Sequence, residues 1–558
     1  MPAPTFLSQL QSRVRVEHVF LAILIVAIIL RFAVLDLKLF HHDEAIHAWF
    51  SYQLLTQGTY IYDPVYHGPF LYYVTAGMFA LFGDSDLVGR ILPCVFGTAL
   101  IPLVYCLYRM EYLSGKTAVI AGIFVAIAPE MIYFSRFLRN DVFVVFFSLL
   151  IVVAFLAWIQ KGKWYYLLIA GIAAALGMCS KENMPLILVT FGLFFLYLVW
   201  SRKITLPLHW LRDAILAFVV FAGIGCLFYS SFGAHPEVIL TAGPSAIEHW
   251  LNMHNQQRIG GPPYYYLLLF VLYELPILIF AIAGVVLYLR RPGTKQPVPA
   301  EETSAVTADE EIFEPAGETV SGPAPPAPVS VGKKFSLADL FRRPERPAVL
   351  NRQEEFIRFA IYWTIIACLT YAYIGEKVPW LSLHQLVPMI FVAAYALSFA
   401  GKYTKPLMIL ACAFLLVVTF HVAFTPADIA EPIVQVQNSE DLVEMMAAID
   451  AADKVAISSD QGWPYTWYYR GDAWEKISYY GRKISEDSVL AGDFDIIMTH
   501  DGDSYESLPG YEKKTIRLSY WIDGAATGSD PGWLWYFVTR DGKFGSINTD
   551  VFTKISRS

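Results

Sequence analysis

Residues 19–44 read VFLAILIVAIILRFAVLDLKLFHHDE, and this stretch decides which kind of fold to expect. From Val19 to Leu35 the chain is apolar and long enough to cross a hydrocarbon core about 30 Å thick at about 1.5 Å of helical rise per residue. An acidic pair, Asp43 and Glu44, stands just beyond it. Outward from there, similar runs recur at 87–108, 117–131, 142–160, 165–179, 185–200, 214–230, 264–289, 358–374, 385–400 and 404–422. With the first they make about eleven spans. The 558 residues are 56% apolar, 15% aromatic and only 16% charged, so the apolar excess must face lipid rather than a soluble core. The expected fold class is a polytopic α-helical membrane protein. Arg13 and Arg15 before the first run suit a secretory signal, but no small-residue cleavage site precedes Asp36, which favours an uncleaved first helix.

If the N-terminus is cytoplasmic, the inner connections are 109–116, 161–163, 202–212, 290–358 and 402–405, and every one carries Lys or Arg. Counting 69–82 as a further span would invert the later loops and break that agreement. The stretches 44–57 and 69–82 are therefore expected as helices at the outer surface. Four regions follow: a membrane module at 1–290, a Pro- and Ala-rich cytoplasmic linker without helical periodicity at 291–350, further membrane helices at 351–424, and a small extracytoplasmic α/β domain at 425–558. In the last, DLVEMMAAIDAA (441–452) has a helical pattern and KVAISS (454–459) and DFDIIMTH (493–500) read as strands, with WLWYFVTR (533–540) late in the domain. The net charge of -8, with no basic run carrying spaced aromatics, excludes nucleic acid as a partner. The 6 cysteines all fall in apolar spans, so no disulfide framework is implied.

Acids, bases and hydrogen-bond donors concentrate in the outer loops. They are His41-His42-Asp43-Glu44 with His47, Tyr66-His67-Gly68-Pro69, Ser135 to Asp141, Ser180-Lys181-Glu182-Asn183, His235-Pro236-Glu237 with His249 to Arg258, and Gly375 to Trp380 followed by His384 and Gln385. Loops from distant parts of the chain that present such groups on one face imply a shared site at the membrane boundary. A hydroxyl acceptor attacking an anomeric carbon needs a carboxylate to take its proton, which Asp43 or Glu44 supplies. A leaving lipid phosphate gathers negative charge, which Arg136, Arg139, Lys181 and Lys377 would offset. His67, Glu376, Trp380 and His384 complete the candidate substrate-binding set. Each feature also has a structural reading: Asp43-Glu44 as a helix cap and dipole-matched first turn, the basic residues as side chains snorkelling at span ends, and the histidines as hydrogen-bonded polar groups rather than metal ligands.

These residues resemble the GT-C glycosyltransferases of the protein mannosyltransferase and aminoarabinose transferase type, in outline over 19–400. Asp43-Glu44 is similar to their first-loop acidic motif, Ser135 to Asp141 to their second-loop Arg and Asp pattern, and Glu376-Lys377-Val378-Pro379-Trp380 to their late lysine-proline segment. Within the group the chain looks like the archaeal and bacterial flippase-activity-associated branch. The resemblance implies a GT-C bundle, Asp43 as the catalytic acidic residue, a polyprenyl-phosphate sugar as donor, and a glycan, lipid or protein as acceptor. It also implies a divalent metal held by Asp43 and Asp141 as a possible cofactor. Two departures stand out: no Asp-x-Asp occurs in these loops, and the C-terminal domain has no WWDYG-like peptide motif, although Gly462-Trp463-Pro464-Tyr465 is aromatic. The expected function is sugar transfer on the extracytoplasmic side; the alternative is a lipid-linked glycan flippase or its accessory.

Overall fold

A computed structural model describes residues 6–58, 60–256, 261–290, 351–426, 429, 431–458, 462–482, 484–521, 533–540 and 545–555. The linker expected at 291–350 lies outside them. The chain opens with α1 (Phe6–Phe32), α2 (His42–Gln57) and α3 (Phe70–Phe82), the last two in the segments expected as surface helices. Then come α4 (Asp86–Arg109), α5 (Gly115–Ile127), α6 (Pro129–Ser135), α7 (Asp141–Lys161), α8 (Trp164–Met178), α9 (Met184–Trp200), α10 (Trp210–Tyr229) and α11 (Val238–Gln256). The series continues with α12 (Tyr265–Tyr273), α13 (Leu275–Arg290), α14 (Arg352–Tyr373), α15 (Leu383–Ser398) and α16 (Thr404–Ala423). Among the described residues, 6 helices are long and apolar enough to cross a membrane, with 2 further bent pairs and the shorter apolar helices α3, α8 and α9. The chain is thus a multi-pass membrane protein, and the figure of eleven crossings stays an expectation.

Two of the expected spans, 117–131 and 264–289, are bent rather than straight, and a proline explains each bend. Pro129 has no N–H for the Val125 carbonyl, and the axis turns by 53° between α5 and α6. The freed carbonyls find other donors. The buried Arg31 gives Nη2 to Val125 O at 2.8 Å and Nη1 to Ala126 O at 3.3 Å, and Thr419 Oγ1 donates to Ile127 O at 2.8 Å. Pro276 likewise leaves Leu272 O without its helical donor; the bend is 113°, and Arg540 Nη2 donates to that carbonyl at 2.8 Å. Glu274, between α12 and α13, accepts the Glu130 N–H of α6 at 2.9 Å and so joins the two breaks.

α15 is apolar all round and packs against α5, α7, α13 and α14, which makes it the centre of the bundle. Trp380 and His384 lie at its N-terminal end, so that end is held rigidly among its neighbours.

The C-terminal domain holds α17 (Asp441–Ala451), a second cysteine-free core, and a 5-stranded sheet in the order β2-β1-β3-β5-β4. Its strands are β1 (Val455–Ser458), β2 (Ile477–Tyr480), β3 (Ile496–His500), β4 (Tyr511–Trp521) and β5 (Gly545–Lys554), with β2, β1 and β3 parallel and β5 antiparallel to both β3 and β4. WLWYFVTR forms a short helix, Trp533–Thr539, against the bundle, where Tyr536 Oη donates to Glu431 at 3.2 Å. The domain sits directly on the first loop. Trp467 Nε1 and Tyr468 Oη donate to Asp86 at 2.7 and 2.6 Å, Arg470 Nε to Asp84 at 2.6 Å, and Asn438 Nδ2 to Phe40 O at 2.6 Å.

Candidate active site

The start of α2 separates the two acidic residues that look equivalent in sequence. The N-cap is His41, whose ring accepts from Asp43 N at 3.0 Å, while Glu44 accepts from His41 N at 2.9 Å, a capping box. Glu44 is fully buried, takes Arg90 Nε and Nη2 at 2.9 and 2.6 Å, and accepts Leu138 N at 2.8 Å. Its lone pairs are used in holding the first two loops together, so the expected catalytic role for Glu44 does not fit its position. Asp43 is spared the capping work and keeps 24% of its side-chain surface exposed.

Asp43 is ion-paired with Arg139. The Arg139 guanidinium lies 3.9 Å over the Trp380 ring, with Nη2 3.4 Å from His67 Nε2 and Nε 3.5 Å from Asp141 Oδ2. Asp141 in turn accepts from Lys181 Nζ at 2.8 and 3.0 Å and lies 3.1 Å from His384 Nε2. Glu182 takes His67 Nδ1 at 2.9 Å and Tyr62 Oη at 3.1 Å. The two loops that carry His67 and Lys181 are locked together at Gly68, where a Cβ would stand 2.2 Å from the Cys179 carbonyl oxygen. Tyr72 donates to Tyr66 O at 2.5 Å, so the Nδ1 of His47, one turn after Asp43 and 2.9 Å from that hydroxyl, carries the proton. His47 Nε2 is left as a bare lone pair.

Burial alone would raise the Asp43 carboxyl, but Arg139 and the neighbouring histidines hold it well below the usual carboxylate range. Burial lowers His47, which stays neutral, and pulls Lys181 below the ordinary lysine range against the opposing pull of Asp141.

Arg139, Lys181, His67, Trp380 and His384 thus come together with Asp43 and Asp141, as expected. Two basic residues do not. Arg136 spends its guanidinium on the carbonyls that end α1, Arg31 at 3.1 Å, Ala33 at 2.6 Å and Val34 at 2.8 Å. Lys377 Nζ caps the end of α14 through Tyr371 O at 2.8 Å, Ala372 O at 3.0 Å and Ile374 O. Both are helix caps, not free phosphate ligands. Glu376 is half-buried and makes no hydrogen bond or ion pair with any described residue. The metal expected on Asp43 and Asp141 does not fit the donors present: among the described residues no three His, Cys, Asp or Glu side chains converge, and both carboxylates face Arg139. Sequence reasoning also passed over Arg90, a lone buried charge inside an apolar span and so a recognisable signal.

Buried polar atoms without a partner among the described residues gather at this place: His47 Nε2, Arg139 Nε, both amide atoms of Asn140, Asn183 Oδ1, Trp380 Nε1 and His384 Nδ1. Native interiors pair such atoms, so a concentration of them marks where a polar ligand belongs. Beside them a cavity of about 680 Å³ opens between α8, α9, α10 and α11, with Tyr62 and Glu182 at its polar end and Met178, Phe221, Ile247 and Trp250 along its apolar walls.

Residues 66–225 match the family of dolichyl-phosphate-mannose-protein mannosyltransferases. No curated protein matches the chain in sequence. Among solved structures, the Archaeoglobus fulgidus oligosaccharyltransferase in complex with Zn and sulfate is 13% identical, with a TM-score of 0.51 over 95% of this chain and 73% of that one. The archaeal oligosaccharyltransferase AglB from the same organism, in complex with an inhibitory peptide and a dolichol-phosphate, is 13% identical with a TM-score of 0.50 over 88% and 70%. ArnT from Cupriavidus metallidurans bound to undecaprenyl phosphate is 14% identical with a TM-score of 0.46, and this chain covers 62% of its length. The bundle with its docked outer-loop helices has the GT-C glycosyltransferase fold.

Proposed function

We propose that the protein transfers a sugar from a polyprenyl-phosphate carrier to the hydroxyl of an acceptor, with chemistry centred on Asp43 and Arg139. The observation that carries this reading is the group of unpaired buried polar atoms around the Asp43–Arg139 pair, next to an apolar cavity that ends at Glu182. A long prenyl tail suits the apolar walls of the cavity, and the cationic groups for its phosphate, Arg139 and Lys181, lie in the cluster beyond Glu182 and His67. The matched family and the dolichol-phosphate in the neighbouring archaeal oligosaccharyltransferase complex support the same donor class.

The reaction then runs as one displacement. The acceptor oxygen forms a bond to the anomeric carbon, the bond from that carbon to the phosphate oxygen breaks, and polyprenyl phosphate leaves. Asp43 takes the acceptor proton as the new bond forms. Arg139 and Lys181 offset the charge that gathers on the departing phosphate. The shared position of Arg139 couples the two halves. As its guanidinium turns toward the donor phosphate, the charge that holds the Asp43 carboxyl low is withdrawn, and Asp43 becomes a stronger base when donor is bound. Asp141 and His384 keep Lys181 in place, and the Trp380 ring supports the Arg139 guanidinium.

Purified protein incubated with radiolabelled polyprenyl-phosphate sugars and a cell-envelope acceptor fraction should release free polyprenyl phosphate in step with label entering the acceptor. Carrier that stays sugar-loaded across all donors tried, with the protein folded, would remove this reading.

A further inference from the structure

A second recess lies beyond the cluster, along the same face of α2. Asp43, His47 and Phe50 stand at i, i+4 and i+7, so they line one side of the helix. Phe50 begins an open cleft of about 310 Å³ whose wall is formed by the rings of Phe50, Tyr60, Tyr66 and Tyr72, with Gln53 and Asp63 at its edge. The segment 60–67 is the partition between the two cavities: Tyr62 faces the apolar one, and Tyr60, Asp63 and Tyr66 face the cleft. The cleft also connects to the catalytic cluster, because Tyr72 bonds to His47 and Tyr66 precedes His67.

We infer that this cleft binds a sugar ring of the acceptor, so that the acceptor is a glycan or glycoconjugate, an inference that rests on the transferase reading above. Aromatic faces mixed with a carboxylate and an amide suit the apolar C–H faces and polar hydroxyl rim of a saccharide, whereas a prenyl tail suits the other cavity, whose lining is almost wholly apolar. Tyr60 adds an independent sign. Its ring packs 5.1 Å from Tyr72, yet its hydroxyl is buried with no hydrogen-bond partner among the described residues. Packing alone would be served as well by Phe; the hydroxyl has a use if a ligand atom pairs with it. Asp63 caps Val65 N through Oδ1 at 2.9 Å, which leaves Oδ2 for a ligand. The cleft begins about 10 Å from Asp43 along the helix axis. The bound ring is therefore set back from the hydroxyl under attack, and an acceptor needs at least two sugar units to reach both places.

Tyr60→Phe separates the two explanations. If the hydroxyl is only a packing remnant, removing it leaves saccharide binding unchanged. If it binds sugar, affinity falls by about threefold to tenfold, the worth of one neutral hydrogen bond, while the melting temperature holds or rises. Saturation-transfer NMR on the full-length protein in nanodiscs, with a panel of neutral mono-, di- and trisaccharides as probes, should show binding that strengthens from one unit to two. Gln53→Ala and Tyr66→Ala should weaken it further. An absence of saccharide binding, or binding indifferent to all three substitutions, overturns the inference. Displacement of the saccharide by a polyprenyl-phosphate sugar but not by bare polyprenyl phosphate would assign the cleft to the donor's sugar and overturn it too. Carrier-lipid binding by the wild-type protein, measured in the same samples, tests the transferase reading separately.

Discussion

Arg139 sets the charge balance of the site at the level of single residues. It holds Asp43 ionised, so that pairing contributes stability above the ordinary carboxylate range, and the contribution is lost as the pH falls through the lowered Asp43 pKa. Arg139→Gln should move the acid limb of the kcat/KM profile to higher pH, because the carboxyl loses the partner that depresses it. It should also cost roughly tenfold to a hundredfold in kcat/KM, the worth of a charge-assisted contact of about 1.5–3 kcal/mol. An acid limb that stays in place would show that Arg139 is not what tunes Asp43. Arg136→Ala and Lys377→Ala should differ in kind: each removes a helix cap, so melting temperature should fall while the donor KM moves little. Much of this is legible in the sequence, since Asp43, Arg139, Lys181 and His384 all stand in loops of unusual polarity. The division between Asp43 and Glu44 was hidden, because it depends on Arg90, 46 positions away. The capping roles of Arg136 and Lys377 were hidden for the same reason, as the carbonyls they serve are defined only once α1 and α14 end where they do.

The elements of the bundle depend on how two broken helices are repaired. Arg31 is a fully buried charge in an apolar helix, and its work is to supply donors to the carbonyls that Pro129 leaves open. Arg31→Met should therefore destabilise the protein by about 2–5 kcal/mol, since unsatisfied carbonyls in an apolar interior are expensive. Pro129→Ala restores an N–H opposite Val125. The double substitution should thus lose less than the sum of the singles by about 1 kcal/mol or more in detergent thermal unfolding. Strict additivity would mean that Arg31 serves some other group. Apolar length made the helices visible in the sequence, yet it concealed the bends, because Pro129 and Pro276 each sit in a long run interrupted by a single acidic residue, Glu130 and Glu274. The parallel strands β1 and β3 showed as short apolar runs. β4 and β5 did not, since β4 has exposed positions over much of its length and its register is fixed by pairing with β5 rather than by alternation.

At the scale of the whole molecule, the docked domain and the basic connections bear on which way the chain faces. The Lys and Arg bias predicts that the domain after α16 and the site beneath it are extracytoplasmic. In a cysteine-free background, Glu444→Cys on the exposed side of α17 should react with an impermeant maleimide on intact cells, whereas Lys402→Cys between α15 and α16 should react only after lysis. The reverse pattern would invert the topology and move the proposed chemistry to the other side of the membrane. The domain's hold on Asp84, Asp86 and Phe40 also ties it to the loop that leads into Asp43. The central claim is that Asp43 takes the acceptor's proton, and Asp43→Asn tests it most directly. His41 and Glu44 supply the cap, so Asn at 43 leaves the helix start intact and preserves side-chain shape while removing the base. Sugar transfer by the detergent-purified variant should fall by at least about a hundredfold in kcat, while its melting temperature, the folding control, drops only by the contribution of the lost Asp43–Arg139 pairing. Turnover close to that of the wild-type enzyme would contradict the account.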